Sequence, residues 1–549
     1  MKSFKKMLVG LVVSGTLMAG CNKILDTKNP SYTTDDFFNT KQGVEKLLVD
    51  VYSKLRGHYN TAKIQYWGTD IYLAADDNPD ARMFNAYDNT FNSTAGVVGG
   101  YWNNLYKMIQ ETNILLNRMK PEMEGLSAGE YTTMQAEAKF LRALAYYYLV
   151  ETFGPVPLLI EESTTPITTV TRQPEADIYS FMLEELTAIQ DHLPMKPTQT
   201  GRVGKGAVYQ LLGKIYLTRA YRSYGSSSDF TTAAGYFDQI INDAGNTFTL
   251  LPNFASVFDE NNQANREVIF SIQYTSDRNF VGGGNPLQSM FGFCINCFYP
   301  SMFIEAQKDY SYMQREFWIN PRVHELFDPS KDSRYEASFQ RSFTINNPDH
   351  PRLGEPGLFM PVWNDGSGNT IGAEEFIPFK DNEGNYLWYP QLASNPELAK
   401  GSDKMPILKK FKDTKILWTG PGSREAVVYR LADTYLLSAE AHLGAGATNT
   451  ALERMNAVRR RAAINDELRD DMELSDIDMD ILLDERAREL LGEYDRWFDL
   501  KRTGKLIERT LANNPQAKAT NNLSAIHLLR PIPQDEINKL SGLTQNTGY

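Results

Sequence analysis

The sequence predicts a mainly α-helical protein, in which helix pairs form a scaffold that carries a loop-rich, irregular lobe with a few short strands. Two observations lead to this fold class. Many segments in the first and last parts of the chain repeat apolar residues with a helical period. Residues 246–423 instead are rich in Gly, Pro, Asn, Trp and Tyr, and have few helical periods. We therefore expect a signal peptide at 1–20, scaffold at 21–245 and 424–549, and a variable lobe at 246–423.

The helical periods are clear enough to predict individual helices. Leu212-Gly213-x-x-Tyr216, followed by Ala220, is typical of the tetratricopeptide pattern, in which small residues let two helices approach. We expect about four such pairs in one right-handed stack. The predicted helices are Tyr101–Met119, Glu130–Phe153, Glu175–Leu193, Lys205–Tyr221, Thr232–Asn242, Arg424–Leu443, Asn449–Ala463, Asp478–Leu491 and Tyr494–Thr503.

Two segments of the middle region are predicted as strands. Glu267–Tyr274 contains Val268, Ile269, Phe270 and Ile272 and is typical of a buried strand. Arg334–Phe343 alternates aromatic and polar residues, which predicts a half-exposed strand. The long Gly- and Asn-rich loops 282–285 and 364–369 are of a kind that is usually functional.

The first residues predict export and lipid anchoring. Three lysines precede an apolar run, Met7–Ala19, which is shorter than the ~20 residues that a membrane-spanning helix needs. The run ends in Leu17-Met18-Ala19-Gly20-Cys21, where small residues before a cysteine are what a lipoprotein signal peptidase requires. We expect Cys21 to carry the acyl chains that hold the protein on a membrane. An ordinary secretory signal with a chance cysteine is the alternative.

Charge and cysteine content exclude some classes of function. The net charge is −12, and it becomes −15 once the three lysines of the signal are removed. So acidic a protein is a poor partner for nucleic acid, which is bound through clustered Lys and Arg. Beyond Cys21, the cysteines are Cys294 and Cys297. We favour a small structural disulfide in an oxidising compartment over a redox pair or half of a metal site.

No catalytic motif is found in the sequence. The six histidines are scattered, and nucleophile-elbow, zinc-protease and phosphate-loop patterns are absent. A glycoside hydrolase needs only two carboxylates, so 68 acidic residues leave that function open. Asp76-Asp77-Asn78-Pro79-Asp80 is the densest acidic segment, but it lacks the glycine and the glutamate of a calcium loop. We predict a solvated turn there and no cofactor, and a structural calcium ion has no further support.

Two other charged groups are interpreted as structural. Asp476, Asp478 and Asp480 alternate before a predicted helix, where they would cap and charge its N-terminus. Charged residues on adjacent helical turns near the C-terminus predict a partly buried ion-pair network with a packed tryptophan. These residues are Arg486, Arg488, Glu489, Glu493, Arg496 and Trp497.

Taken together, the segments resemble the SusD/RagB family of outer-membrane nutrient-binding lipoproteins. The resemblance spans nearly the whole chain, in order, and departs from the family's pattern at Thr547 and Ser541-Gly542. It is carried by Cys21 with Ile24-Leu25-Asp26, Tyr101-Trp102-x-x-Leu105-Tyr106 with Asn113, Ala136–Ala143, Phe153–Leu158, Gly204–Tyr216, Asp332–Tyr335, Tyr429–Asp433, Asp484–Arg486, Arg496-Trp497, Pro531–Gln534 and Thr544–Tyr549.

The resemblance implies a tetratricopeptide-like scaffold, display on the outer face of the outer membrane, and no catalytic turnover. It also implies a partner, a TonB-dependent β-barrel transporter of the SusC type, on which the protein would act as a lid. The implied cargo is an oligosaccharide. Peptide cargo, as in the RagB branch, and a surface glycoside hydrolase are the alternatives, and a protein-binding helical scaffold is a further one.

Sugar rings have apolar faces that stack on flat aromatics and hydroxyls that bind polar side chains. Such residues should stand exposed in irregular segments. Two segments qualify, one after Asp77 and one from Gly282 to Trp318, and the family takes its ligand contacts from broadly these regions. The ligand-binding candidates are Arg82, Phe84, Tyr87, Asn89, Phe291, Tyr299 and Trp318. We expect Trp318 and Tyr87 to be the foremost of them.

Overall fold

The structure is a computed structural model. It describes residues 35–74, 79–88, 90–277, 284–291, 300–304, 316–340, 342–359, 407–415, 422–493 and 495–549. Several sequence predictions lie outside these residues, namely those for the signal peptide 1–20, Cys21, Asp76–Asn78, Asn89, Cys294, Cys297, Tyr299 and the loop 364–369.

The first part of the chain is a series of helices interrupted by short strands. Side chains fix several helix starts: Thr40 accepts a hydrogen bond from the Gly43 amide, and Ser127 and Glu130 form a reciprocal capping box. The elements are α1 Asp35–Phe38, α2 Lys41–Thr61, β1 Tyr72–Ala74, α3 Pro79–Ala86, α4 Gly96–Arg118, α5 Ala128–Phe153, β2 Val156–Pro157, β3 Arg172–Gln173, α6 Glu175–Ile189, α7 Lys205–Ala220 and α8 Ser228–Ile241.

The middle part has short elements only. Its strands are paired in two-stranded antiparallel ladders, several of them with segments far away in sequence. The elements are α9 Phe254–Val257, β4 Val268–Ile272, α10 Leu287–Met290, β5 Phe317–Ile319, α11 Pro321–Glu325, α12 Arg334–Ser338, β6 Phe339–Gln340, β7 Ser342–Thr344, β8 Pro356–Phe359 and β9 Ile407–Leu408.

The last part returns to helices after one strand. Asp478 caps α15 by accepting a hydrogen bond from the Ile481 amide, as the sequence predicts. The elements are β10 Ala426–Arg430, α13 Leu431–Gly444, α14 Thr448–Arg461, α15 Met479–Glu489, α16 Arg496–Arg502, α17 Leu506–Asn513, α18 Pro515–Thr520 and α19 Gln534–Lys539.

Four helix pairs stack in sequence order and confirm the predicted scaffold. The pairs are α2 with α4, α5 with α6, α7 with α8, and α13 with α14, and each pair packs on the next. Gly213 allows the close approach of α7 and α8, since a Cβ at this position would lie within 2.5 Å of the Phe237 ring. The small residue of the tetratricopeptide pattern therefore has the predicted role.

The structure corrects the predicted elements in several places, of which three follow. Helix α2 is not among the predicted helices, although Val44, Leu48, Val51 and Leu55 lie buried at helical spacing. Residues 334–338 form α12 rather than a strand, because burial of Arg334, Tyr335 and Ser338 follows a helical period.

The third correction concerns the predicted helix Arg424–Leu443. Its first residues form β10, which pairs with β4 through Ala426↔Ile272 and Val427↔Ser271. Buried β4 needs hydrogen-bonding partners for its backbone, and this requirement overrides the helix propensity of the segment. The predicted strand 267–274 is confirmed as β4.

Buried charges join the middle part of the chain to the scaffold. Glu489 lies between Arg334 of α12, Arg430 of β10 and Arg461 of α14, at 3.0 Å from the Arg334 guanidinium and 2.7 Å from that of Arg430. Arg334 also contacts Glu485 at 2.6 Å, and Arg430 and Arg461 share Glu267 at 3.0 and 2.7 Å. We call these six residues the arginine–glutamate network. It holds three positive and three negative side chains, all of them buried.

The ion pairs predicted near the C-terminus are confirmed, and their partners include residues that the sequence did not indicate. Arg488 reaches Glu485 at 2.7 Å, Arg486 reaches Asp499 at 2.8 Å, and Arg496 reaches Asp70 at 2.6 Å. Trp497 is buried beside them. Because breaking a buried pair leaves an uncompensated charge, these contacts fix the relative position of distant segments.

The network should make folding stability depend on acid pH. Burial alone would raise the pKa of Glu489, but Arg461, Arg430 and Arg334 outweigh it and lower that pKa to about 2 from 4.5. A depressed folded-state pKa contributes stability that is present above the unfolded pKa and lost as pH falls towards the folded one. We expect the contribution of Glu489 to the free energy of unfolding to be fully present above about pH 5 and to be lost between about pH 4.5 and 2, measured by urea unfolding across pH.

The control is Glu489→Gln, which lacks this titration. It should be less stable than the wild type at pH 7, yet lose about 2 kcal/mol less between pH 5 and pH 3. Equal pH dependence of the two proteins would contradict the role given to Glu489.

Candidate functional site

The two aromatic segments chosen from the sequence are brought together by the ladder of β1 and β5. The strands are antiparallel, with Tyr72 opposite Ile319, Leu73 opposite Trp318, and Ala74 opposite Phe317. Strand β1 ends at Ala74, shortly before the first segment, and β5 contains Trp318, the last residue of the second segment. The candidate site is therefore the edge of this ladder, where the scaffold meets the middle part of the chain.

Trp318 is the candidate that the structure leaves accessible on the ladder. Its neighbours Phe317 and Ile319 are buried, whereas Trp318 is half-buried. Successive side chains of a strand point to opposite faces. Trp318 therefore points away from Phe317, with part of its ring packed on the core and part exposed.

Phe291 lies beneath the ladder and not on its surface. It is 5% exposed, and its ring centroid is 5.3 Å from that of Phe317 and 5.9 Å from that of Tyr72. Tyr66 completes this aromatic layer at 4.9 Å from Phe317. The prediction that Phe291 is exposed is wrong, because its ring packs against Phe317, Tyr72 and Tyr66 in the core.

Phe84 and Tyr87 are buried too, around an arginine from the far end of the chain. Arg530 is fully buried, with its guanidinium 4.8 Å from the Phe84 ring, 5.9 Å from Tyr87 and 4.5 Å from Trp497. Its Nη2 donates to the carbonyls of Ile64 and Trp67. Burial lowers the pKa of Arg530, and the negative faces of the rings favour its charge.

The prediction that Phe84 and Tyr87 are exposed is therefore wrong. Phe84 is 0% and Tyr87 1% exposed, so neither ring has a face free for a ligand. The segment has helical structure in α3, with Phe84 on its buried side. Tyr87 follows with a positive φ of 50°, and its hydroxyl donates to the Gly68 carbonyl at 2.7 Å. A Cβ at Gly68, which has a φ of +74°, would collide with that hydroxyl.

Arg82 is exposed on the opposite side of α3, which packs against β1. Arg82 and Trp318 thus remain as candidates that the structure describes and leaves open to solvent. Asn89 and Tyr299 lie outside the described residues.

Two features of the site were missed by the sequence analysis. The Lys63 amine lies 3.0 Å from Glu316, the residue before β5, and 5.5 Å from the centre of the Trp67 ring. Gln516 of α18 contacts the backbone of Ala74. Both depend on residues far apart in sequence, and no local pattern indicates them.

The described part of the chain has no group of three His, Cys, Asp or Glu side chains that could hold a metal ion. Among the helices described, none is long and apolar enough to cross a lipid bilayer.

Two family models match the sequence. One, described as "SusD family", covers residues 266–549, which is more than half of the chain. The other, described as "Starch-binding associating with outer membrane", covers residues 23–217. The chain belongs to the SusD family. The resemblance stated from the sequence motifs is thereby confirmed.

The relatives of this SusD-family chain are distant, and those described here cover 92–99% of it. "SusD-like protein P2" of Formosa agariphila is 23% identical over 581 residues, which span 99% of this chain and 100% of that protein. A solved "Laminarin binding SusD-like protein" has a TM-score of 0.69 at 24% identity, over 93% of this chain and 100% of that one. Surface glycan-binding protein A from Bacteroides thetaiotaomicron, in complex with laminarihexaose, has a TM-score of 0.66 at 19% identity, over 92% and 99% of the two chains. At these identities, the structural likeness establishes the SusD fold.

The buried position of Tyr87 leads to a test. We expect Tyr87→Phe to lower the free energy of unfolding by about 1 kcal/mol, because the Gly68 carbonyl loses its buried hydrogen bond. Urea unfolding measures the change. Tyr131→Phe is the control, since the Tyr131 hydroxyl accepts only a 3.3 Å contact from Gln135 on a half-exposed helix face, and its loss should cost little. If both variants were as stable as the wild type, Tyr87 would not be held as described.

Proposed function

We propose that this SusD-family protein is a cell-surface lipoprotein that captures oligosaccharides and delivers them to a TonB-dependent transporter of the SusC type. The observation that carries the proposal is Trp318, a half-exposed indole on the edge of a ladder whose other aromatic residues are buried. An indole face of this kind suits the apolar face of a sugar ring.

Charged and polar groups beside the ladder suit the sugar's hydroxyls. Arg82 is exposed on α3 and offers five N–H donors. Two structural neighbours support a glucan as cargo, because one is named as binding laminarin and the other is in complex with laminarihexaose. The starch-binding description of the matching family model supports the same class of ligand.

Anchoring at Cys21 is part of the proposal. The basic residues, the apolar run and the Ala19-Gly20-Cys21 sequence support removal of residues 1–20 and acylation of Cys21. The description of the second family model as associating with the outer membrane supports that location. Display on the outer face and contact with the transporter follow from the family's role.

We further propose that the protein has no catalytic turnover. A glycoside hydrolase needs a carboxylic acid of raised pKa facing a second carboxylate across the substrate. Burial raises the pKa of two described carboxylic acids, Glu111 and Glu137. Glu111 lies on α4 of the scaffold, and Asp50, the carboxylate that also raises its pKa, is paired with Lys54 at 2.9 Å. The oxygens of Glu137 are held by the Tyr52 hydroxyl at 2.5 Å and by Arg202 at 2.8 Å. Glu137 is also 2% exposed, so a substrate has no access to it.

Calorimetry with a panel of ligands tests the proposed cargo. We expect the purified chain to bind a β-glucan or starch oligosaccharide and to release no new reducing ends from it during incubation. Reducing ends that appear in proportion to protein would instead identify a hydrolase. If the protein bound peptides and no carbohydrate, its cargo would instead be peptide.

Replacement of Trp318 tests the site. We expect Trp318→Ala to weaken carbohydrate binding by about 2 kcal/mol, roughly thirtyfold, because the stacking surface is lost. The control is Tyr224→Ala, which removes an aromatic ring of 37% exposure that lies just after α7, outside the ladder. Its affinity should equal that of the wild type. Unchanged affinity in the Trp318 variant would place the binding site elsewhere.

A further inference from the structure

Within the part of the chain that the structure describes, no third strand pairs with the free edge of β1, and two side chains take that place. The Ala74 amide donates to Gln516 Oε1 at 2.9 Å, and Gln516 Nε2 donates to the Ala74 carbonyl at 3.0 Å. Asn514, two residues before Gln516, makes a similar contact with Tyr72, two residues before Ala74. Its Nδ2 donates to the Tyr72 carbonyl at 3.2 Å. Residues i and i+2 of a strand face the same edge, so 514 and 516 match 72 and 74 as a neighbouring strand would.

The segment that carries these two amides is itself firmly held. Asn514 is fully buried, its Oδ1 caps α18 by accepting from the Gln516 and Ala517 amides, and its Nδ2 also reaches Thr69 and Asn85. Just before it, Arg509 contacts Asp70 at 2.9 Å. Helix α18 also packs against α3, the helix that carries Arg82. One element thus braces both the strand opposite Trp318 and the helix of Arg82.

Gln516 differs from Asn514 in its exposure and in what it contacts. It is half-exposed, and its side-chain hydrogen bonds go to Ala74, the residue in register with Phe317 at the end of the ladder. An unpaired strand edge is prone to fray, and fraying of β1 would remove Leu73, the residue paired with Trp318 in the ladder.

We propose that Gln516 is a positioning residue of the binding site, which fixes the end of β1 and thereby the orientation in which β5 presents Trp318. It acts through Ala74 and does not stack on the ligand itself. The proposal rests on the proposed function, because it assigns Gln516 to the same carbohydrate-binding edge.

The chain offers a matched control for this role. Gln545 makes the same two hydrogen bonds to one backbone residue elsewhere: its Oε1 accepts from the Ile532 amide at 2.7 Å, and its Nε2 donates to the Ile532 carbonyl at 2.8 Å. Gln545 is half-exposed as well. Gln516→Leu and Gln545→Leu therefore remove the same pair of backbone contacts, one at the ladder and one at the C-terminus, and Gln545→Leu also removes the hydrogen bond that its Oε1 accepts from the Asn546 amide at 2.8 Å.

The experiment compares these two variants by laminarihexaose affinity, hydrogen exchange at the Ala74 amide, and Trp318 emission. Trp318 emission is obtained as the difference between the fluorescence spectrum of each protein and that of the same protein carrying Trp318→Phe. We expect Gln516→Leu to bind about tenfold more weakly, to exchange the Ala74 amide faster, and to shift the Trp318 emission to the red. Gln545→Leu should lose similar thermal stability and change none of the three. Gln516→Ala is the second variant if leucine prevents folding.

The outcomes separate the two proposals. Unchanged exchange and emission in Gln516→Leu would overturn the positioning role, and so would equal loss of affinity in both glutamine variants. If the wild type binds neither laminarihexaose nor any other carbohydrate of the panel, the proposed function fails. Exchange at Ala74 and Trp318 emission then still decide whether Gln516 positions the ladder.

Discussion

The position of Glu489 among three arginines is the constraint on which the rest of the structure depends. Arg334, Arg430 and Arg461 come from three separate segments, and each needs a buried carboxylate. A buried guanidinium without its carboxylate partner would lower the free energy of unfolding by several kcal/mol. The middle part of the chain, which has few long elements of its own, is therefore held in one place relative to the helix pairs. Strand β5 belongs to that middle part, and its pairing with β1 joins it to the first part of the chain.

Local sequence patterns predicted the scaffold well and the exposure of the site residues poorly. Helical periods and the Leu212-Gly213-x-x-Tyr216 motif depend on neighbours three or four residues away, and α7, α8 and the contact at Gly213 follow from them. The burial of Tyr87 depends on Arg530, and that of Phe291 on Phe317. An aromatic residue in an irregular segment looks the same in the sequence whether it faces a ligand or a distant cation.

The dependence of burial on distant residues also explains which part of the candidate site could be predicted from the sequence. The two aromatic segments were identified from composition, and β1 and β5 do place their ends side by side. Trp318 kept its predicted accessibility because it alternates with buried neighbours on a short strand, a pattern with a period of two. No local sequence pattern indicated Gln516 or Lys63, because their contacts with Ala74 and Glu316 are set by tertiary structure alone.

The edge of β1 has a consequence for the order in which the chain can fold. Residues 72–74 meet β5 near the middle of the chain and Gln516 close to its end. Contacts of such long sequence separation form late, because a large loop must close before any of them is gained. A chain emerging from its N-terminus can assemble the first helix pairs early, but the surface around Trp318 is completed only when the last residues have arrived. A polypeptide cut short before residue 514 would keep many of its helices and still lack the surface proposed to recognise sugar.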